Sequence, residues 1–332
     1  MEYNRVLITG ATGFIGRHLI YKLSNEHIFS SVRILVRNSS NKNLINEYKK
    51  ILPNLELSSG DLNNRDSLDD AIKDCDVVIN LAGRVTYKNI PDLYNVNVIG
   101  VQNLCDLALK YEVKRFVQVS STAALGYSKT STDILDENTA FNLVGKGYNY
   151  AESKYLGDKV VLEYFEEKGL PALICMPSEV YGEYGMETAK NLVDFSKFPI
   201  SWEGGTSVVY VKDVVDGIVS SIFKGGLGQK YILGSENLSI FQIIDQVLNK
   251  LERDKQIIKI PNYIVNYPIK YISTLQEKLN MEPLFDPDVI KYATKYWFVN
   301  PSKSKKELDF NPSDTDRIFS TTINWLLDNK LI

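Results

Sequence analysis

The sequence predicts an α/β fold: a doubly wound parallel sheet flanked by helices, followed by a smaller C-terminal lobe. Three observations predict it. Apolar strand-length runs alternate with helix-spaced segments through the first half, and strands this uniformly apolar are buried on both faces of a parallel sheet. A glycine-rich turn links the first such run to the first helix. After Met176 the alternation loosens, and Ile260 to Val299 carries four prolines and many aromatics, the mark of a separate lobe.

Taken in order, Arg5 to Thr9 reads as the first strand and Phe14 to Leu23 as the first helix. Val32 to Arg37 and Leu55 to Ser58 are strands, and Arg65 to Lys73 is helical. Asp76 to Leu81 is a strand, Leu93 to Tyr111 a helix and Arg115 to Ser120 a strand. A long helix over Tyr150 to Lys168 leads into the strand Pro171 to Met176. Val208 to Val211 and Lys230 to Leu233 read as further strands of the same sheet. Helices are expected at Asp213 to Phe223, Ile240 to Leu251 and Thr315 to Asn329. At 332 residues the chain is long enough for one large α/β unit with an added lobe.

Composition excludes several classes. Hydrophobic residues make up 44% and charged residues 24%, with a net charge of −3. The one basic cluster, Lys303 to Lys306, reads as a solvated helix start, so nucleic acid is not an expected partner. No apolar run reaches membrane-spanning length and no leader-like segment precedes the first strand, so a cytoplasmic protein is expected. Cys75, Cys105 and Cys175 lie in apolar surroundings without paired spacing, which fits buried thiols in a reducing compartment. His18 and His27 are the only histidines, and no cluster has metal-ligand spacing, so no metal is expected.

Thr9-Gly10-Ala-Thr12-Gly13-Phe14-Ile15-Gly16 stands between the first strand and the first helix. Glycines there permit a tight turn and close backbone approach to a pyrophosphate, while the helix N-terminus offers free N–H groups to the anion. The Gly-x-x-Gly-x-x-Gly spacing is a variant of the dinucleotide fingerprint, so the sheet is expected to be Rossmann-type. The end of the second strand discriminates between cofactors. Val36-Arg37-Asn38-Ser39-Ser40 has no acid for a ribose 2′-hydroxyl but has Arg37, suited to a 2′-phosphate. NADP is therefore favoured, with NAD as the alternative.

Tyr150-Ala-Glu-Ser-Lys154 supplies candidate chemistry. A phenol and an ammonium four residues apart share a helix face. There the cation stabilises the phenolate and lowers the phenol below its ordinary pKa of ~10, giving a proton donor usable near neutral pH. Spacing alone does not single out this pair among 20 tyrosines. Tyr155 with Lys159 and Tyr164 with Lys168 fit it equally.

Together these pieces resemble the extended short-chain dehydrogenase/reductase family, also called the NAD-dependent epimerase/dehydratase family, over nearly the whole chain. Besides the glycine turn, the landmarks in the family's order are Gly60-Asp61-Leu62, Asn80-Leu-Ala82-Gly83, Asn97-Val-Ile-Gly100 and Ser120-Ser-Thr122-Ala123. Tyr150-Ala-Glu-Ser-Lys154, Pro177-Ser-Glu179-Val-Tyr181-Gly182 and Tyr210-Val-Lys-Asp-Val214 follow. That order selects Tyr150 over the other two tyrosines, since only Tyr150 opens the helix shortly after the Ser-Ser-Thr strand end. Tyr155, moreover, is rotated from it by about 140°.

The resemblance implies that Tyr150 is the general acid/base, that Lys154 binds the nicotinamide ribose and lowers the tyrosine's pKa, and that Thr122 hydrogen-bonds the substrate oxygen. Ser121 is the less favoured hydroxyl. It further implies that Asp61 and Leu62 flank the adenine, that Ala82 and Gly83 line the cofactor channel, and that Pro177 contributes to the cofactor site. Asn97 is expected to brace the architecture. Residues 1–176 and 206–251 would form the cofactor domain, and 177–205 and 252–332 the substrate-binding lobe. Members often dimerise through the Leu93–Tyr111 and Tyr150–Lys168 helices, so a homodimer is the expected assembly.

Two branches of the family compete. Sugar dehydratases carry an Asp-Glu pair after the catalytic Thr, whereas Ala123 and Ala124 follow Thr122 here. Glu203-Gly-Gly-Thr-Ser-Val-Val-Tyr210 lacks the arginine with which nucleotide-sugar enzymes grip a diphosphate. The other branch resembles dihydroflavonol-reductase-like and hydroxysteroid-dehydrogenase-like reductases in Arg84-Val-Thr-Tyr87, Tyr296-Trp-Phe298 and Ser302-Lys-Ser-Lys-Lys-Glu-Leu308. NADPH-dependent reduction of a ketone is therefore favoured. A nucleotide-sugar epimerase holding NAD is the alternative, supported by the sugar-branch form of Val180-Tyr181-Gly182. A non-catalytic NADP-sensing protein is the second alternative. Tyr87, Glu179 and Tyr181 are the expected substrate contacts, beside Thr122 and Tyr150; Tyr127 is a further pocket-wall residue.

Overall fold

The computed structural model describes residues 3–86, 90–197, 199–265, 268, 270–279 and 291–332. Strand and helix alternate from the start: β1 (Arg5–Thr9), α1 (Phe14–Glu26), β2 (Ser31–Val36), α2 (Lys42–Ile51), β3 (Leu55–Ser59) and α3 (Arg65–Ile72). Then come β4 (Val77–Asn80), α4 (Ile90–Tyr94), α5 (Gly100–Lys110), β5 (Arg115–Val119), α6 (Asn149–Lys168) and β6 (Ala172–Pro177). The expected helix over 93–111 is present but broken by a π-helical turn, Asn95–Ile99, between α4 and α5. Such turns often sit at functional sites.

The chain continues through β7 (Glu179–Tyr181), α7 (Met186–Lys197), β8 (Ile200–Ser201), β9 (Gly205–Tyr210), α8 (Val211–Lys224), β10 (Lys230–Leu233) and β11 (Glu236–Ser239). It ends with α9 (Ile240–Lys250), β12 (Ile258–Lys259), short helices, β13 (Tyr296–Trp297) and helices at Ser302–Glu307 and Thr315–Asp328.

Seven strands form the main sheet in the order β3-β2-β1-β4-β5-β6-β10, each neighbour parallel. This is the Rossmann-type doubly wound arrangement expected from the sequence. Because β1 runs outward to β2 and β3 before the chain returns to β4, the order reverses between β1 and β4. In sheets of this kind ligands bind at that switch point, beyond the strand ends. Alternate residues face opposite layers: Val6 and Ile8 of β1 join one core with Leu19 and Ile218, while Leu7 joins the other with Leu104 and Val161. A buried polar ladder crosses the strand ends. Thr9 Oγ1 donates to Asn80 Oδ1 at 2.5 Å, and Asn80 Nδ2 to Gln118 Oε1 at 2.8 Å.

One expectation is corrected. The strand expected at Val208–Val211 is β9, and it does not join the main sheet. It pairs antiparallel with β11 and parallel with β7 and β13 in a second sheet. The place beside β6 is taken by β10, through Lys230↔Ile174 to Leu233↔Pro177. Thus β9 and β11, within the 206–251 stretch assigned to the cofactor domain, build the second sheet. Their core contains Tyr181, Val208, Tyr210, Leu238 and Phe319, with Phe14 and Ile15 packed against it. The second layer therefore rests directly on the glycine turn.

Candidate active site

The glycine turn closes at the switch point. Thr9 pairs with Asn80, which brings Gly10 against Leu81 and Ala82. Gly10 has φ +68°, and a Cβ there would lie 2.7 Å from the Ala82 nitrogen, so no larger residue fits without displacing backbone. The Thr9 hydroxyl accepts from Ala82 N–H at 3.1 Å, and Tyr48 of α2 donates to the Ala11 carbonyl at 2.9 Å. Gly13 is exposed at the N-terminus of α1, whose first turn has neither an acidic residue nor a side-chain cap. A helix start of this kind presents N–H groups to an anion. The residues present fit a dinucleotide.

Arg37 follows β2 directly. Its side chain is 60% exposed and its Nη1 stands 4.0 Å from Asp61 Oδ2. Its backbone N–H donates to Ser40 Oγ at 2.9 Å. The cation and the acid expected near the adenosine end thus face each other. Leu62 is buried against Gly100.

Helix α6 brings the candidate chemistry to the switch point. Ser153 Oγ donates to the Tyr150 carbonyl at 2.8 Å and receives Asn97 Nδ2 at 2.9 Å. Asn97 also clamps Arg84, accepting its N–H at 2.8 Å and donating to its carbonyl at 3.0 Å. That is the bracing role expected of it. Lys154 is buried, donates to the Val119 carbonyl at 3.3 Å, and lies so near Gly83 that a Cβ there would stand 3.0 Å from its Nζ. Burial lowers its pKa, and Asp158 opposes that shift.

Burial raises the Tyr150 phenol above its ordinary value, a hydrogen bond with Ser121 draws it back, and Asp158 pushes it up. One expectation changes here: the net shift is upward, because burial outweighs the hydrogen bond with Ser121. The hydroxyl that engages Tyr150 is Ser121, which also caps the short turn Thr122–Leu125 by accepting from Ala123 N–H at 3.2 Å. Thr122, buried at the start of that turn, stands next to it.

Asp158, one turn beyond Lys154, is a site residue the sequence reading passed over, although its i+4 spacing from Lys154 is visible in the sequence. Its Oδ2 accepts from Ser120 Oγ at 2.8 Å, and burial raises its pKa to about 7. The other two tyrosine–lysine pairs are structural. Tyr155 stacks on Phe141 at 4.5 Å, while Lys159 pairs with Glu163 at 3.3 Å. Tyr164 donates to Asp106 at 2.6 Å under the Lys168 ammonium.

On the substrate side, Pro177 ends β6 and is buried. Glu179 is exposed overall, yet protein crowds its carboxyl and raises its pKa, while hydrogen bonds with Tyr181 and Thr206 act the other way. Tyr181 is buried and donates to Glu179 Oε1 at 3.0 Å. Tyr127, Tyr148 and Trp297 form an aromatic wall in which Tyr127 meets Tyr148 at 5.7 Å and Trp297 at 5.8 Å, with Ala123 packed against it. Tyr87 lies outside the described residues. His18 contacts the Glu183 carbonyl through Nε2 at 2.8 Å, a structural role as expected.

A doubly wound sheet with a glycine turn at its switch point, and a tyrosine–lysine helix reaching the same point, defines a nicotinamide-dependent oxidoreductase class. Comparison makes this specific: the profile of the NAD dependent epimerase/dehydratase family matches residues 6–234, and the chain belongs to that family. It is 24% identical to sterol demethylase protein B of Methylococcus capsulatus, over 98% of this chain and 99% of that protein. It is 31% identical to dihydroflavonol 4-reductase of Arabidopsis thaliana, over 54% of this chain and 50% of that one. The crystal structure of a dTDP-glucose 4,6-dehydratase from Bacillus anthracis in complex with NAD shares the fold. Its TM-score is 0.76 at 21% identity, covering 99% of this chain and 98% of that one. Among the described residues no helix is long and apolar enough to cross a membrane.

Proposed function

We propose that the protein reduces a ketone to a secondary alcohol, or runs the reverse reaction, with NADPH as the favoured reductant. The observation that carries this reading is the arrangement at the start of α6. Tyr150 and Lys154 lie one turn apart on α6, with Ser121 close enough to draw the phenol's pKa down, and the Lys154 ammonium stands beside Gly83 at the switch point.

The turn from Gly10 through Thr12, Gly13, Phe14 and Ile15 to Gly16, with the α1 N-terminus, would hold the pyrophosphate. Asp61 and Leu62 would flank the adenine. Ala82, Gly83, Lys154 and Pro177 would hold the nicotinamide half, and Arg37 the 2′-phosphate. When bound, the nicotinamide supplies or accepts the hydride. The chain's own residues manage the proton. Tyr150 keeps its proton at neutral pH and would give it to the developing alkoxide, which is a stronger base than the phenolate left behind. Ser121 and Thr122 donate hydrogen bonds to the same oxygen, stabilising the charge that develops there. The aromatic wall beside Ala123, with no acid at 123 or 124, suits a ketone on an apolar framework better than elimination of water from a sugar.

A second reading, an epimerase using held NAD, is favoured by one observation: Asp61 lies 4.0 Å from Arg37 and offsets part of the charge a 2′-phosphate would need. Titration with NADPH and NADH, followed by nucleotide oxidation against a panel of ketones, separates the two. Net NADPH oxidation supports the reductase. NAD retained through purification without net oxidation supports the epimerase. In either case Tyr150→Phe should lower turnover by about 10²–10⁴-fold with nucleotide affinity little changed; unaltered turnover would remove Tyr150 from the mechanism.

A further inference from the structure

Asp158 is 3% exposed. Its Oδ2 accepts the Ser120 hydroxyl at 2.8 Å, while its Oδ1 is buried without a hydrogen-bond partner among the described residues. A buried carboxylate left half-satisfied is costly, and an apolar side chain would cost less at this position. Its surroundings indicate what it does there. On its own helix, one turn back, lies the buried Lys154, and Tyr150 a turn before that. From β5 comes Ser120, which immediately precedes Ser121 and Thr122. From β10, Lys230 adds its charge. Asp158 therefore touches both halves of the candidate site, the helix bearing the proton donor and the strand end bearing the hydroxyls.

We propose that Asp158 is a positioning residue of this site: it ties the end of β5 to α6 through Ser120 and sets its carboxylate one helical turn from the buried Lys154 ammonium. The proposal rests on the reading of Lys154 as the nicotinamide-ribose ligand. Burial disfavours the Lys154 ammonium and the Asp158 carboxylate alike, and each charge offsets part of the other's penalty. Without the carboxylate, Lys154 gives up its proton at lower pH, and a neutral amine holds a ribose hydroxyl pair less well.

The test is nucleotide affinity, followed by NADPH and NADH fluorescence across the range from about pH 6 to pH 10, the width expected for a perturbed lysine. Asp158→Asn keeps the shape and removes the charge. Its alkaline loss of affinity should move to lower pH by about one unit or more, with affinity at the acid end unchanged. Ser120→Ala, which removes the tether and leaves the charge, should shift the same limb less far, and it serves where Asp158→Asn folds poorly. Lys154→Met should abolish the limb. A merely structural Asp158 would weaken binding equally at every pH, and that result, or superimposable profiles, overturns the proposal. If neither nucleotide binds the wild-type protein, both readings fall. If the limb shifts while Tyr150→Phe retains turnover, only the catalytic assignment falls.

Discussion

Gly157 offers a test in which the sign of the effect decides. Alanine is a better helix residue than glycine by about 0.8–1.0 kcal/mol, so at an open helical position Gly→Ala stabilises. At position 157 of α6 an added Cβ would stand 2.3 Å from the Asn97 carbonyl oxygen, more than an ångström short of ordinary contact. That oxygen is backbone and cannot rotate away. Its residue is also fixed by the bonds between the Asn97 side chain and Arg84 at 2.8 and 3.0 Å. Overpacking of this kind costs about 1–3 kcal/mol, which exceeds the propensity gain. Gly157→Ala should therefore lose about 1 kcal/mol net, read as a lower urea midpoint with an unchanged slope. Relief of the clash moves α6 outward, carrying Tyr150 and Lys154, so nucleotide affinity should fall in the same variant. A stabilised Gly157→Ala with unaltered nucleotide binding would refute the close approach of α6 to the π turn.

Other outcomes follow from the same geometry. Arg37→Ser should lower NADPH affinity about tenfold or more, the worth of a charged hydrogen bond to phosphate, with NADH affinity little altered in parallel titrations. Tyr48→Phe leaves the Ala11 carbonyl, now bonded at 2.9 Å, without its buried donor. It should cost about 1–3 kcal/mol in urea unfolding and weaken nucleotide binding through the turn. Asp158 carries a folded-state pKa raised from 3.8 to about 7, so the folded state holds the extra proton between those values. Its contribution to stability is present below the lower value and is lost as pH rises toward the upper one. Unfolding midpoints measured across that window should show a shallower decline in Asp158→Asn than in the wild type.

Much of the main sheet was legible because its signals are local. β1 begins and ends where its apolar run does, and α1 starts at Phe14, directly after the glycine turn. Helices α2 and α7 are among those the pattern does not announce, although α2 carries a cue. In α2, Asn41 caps the helix by accepting from Asn43 and Leu44 N–H, ahead of Leu44, Ile45 and Tyr48 on its buried face. α7 follows a loop in which Gly185 is pressed against Phe14. The misplaced β9 marks the limit of pattern reading. An apolar run announces burial, but the sheet it joins depends on which edge is open, and β10, later in the chain, closes the edge beside β6.

By itself the sequence determined the strand–helix alternation, the glycine turn between β1 and α1 and the family, and it singled out Tyr150 and Lys154 as the proposed pair, because glycine geometry, residue period and motif order are properties of the chain. Only the tertiary structure decided that burial raises the Tyr150 phenol while Ser121 draws it back, and that Asp158, one helical turn from Lys154, is buried with one oxygen on Ser120. Those facts depend on desolvation and on distances between segments far apart in sequence. Neither exists until β5 and α6 come together.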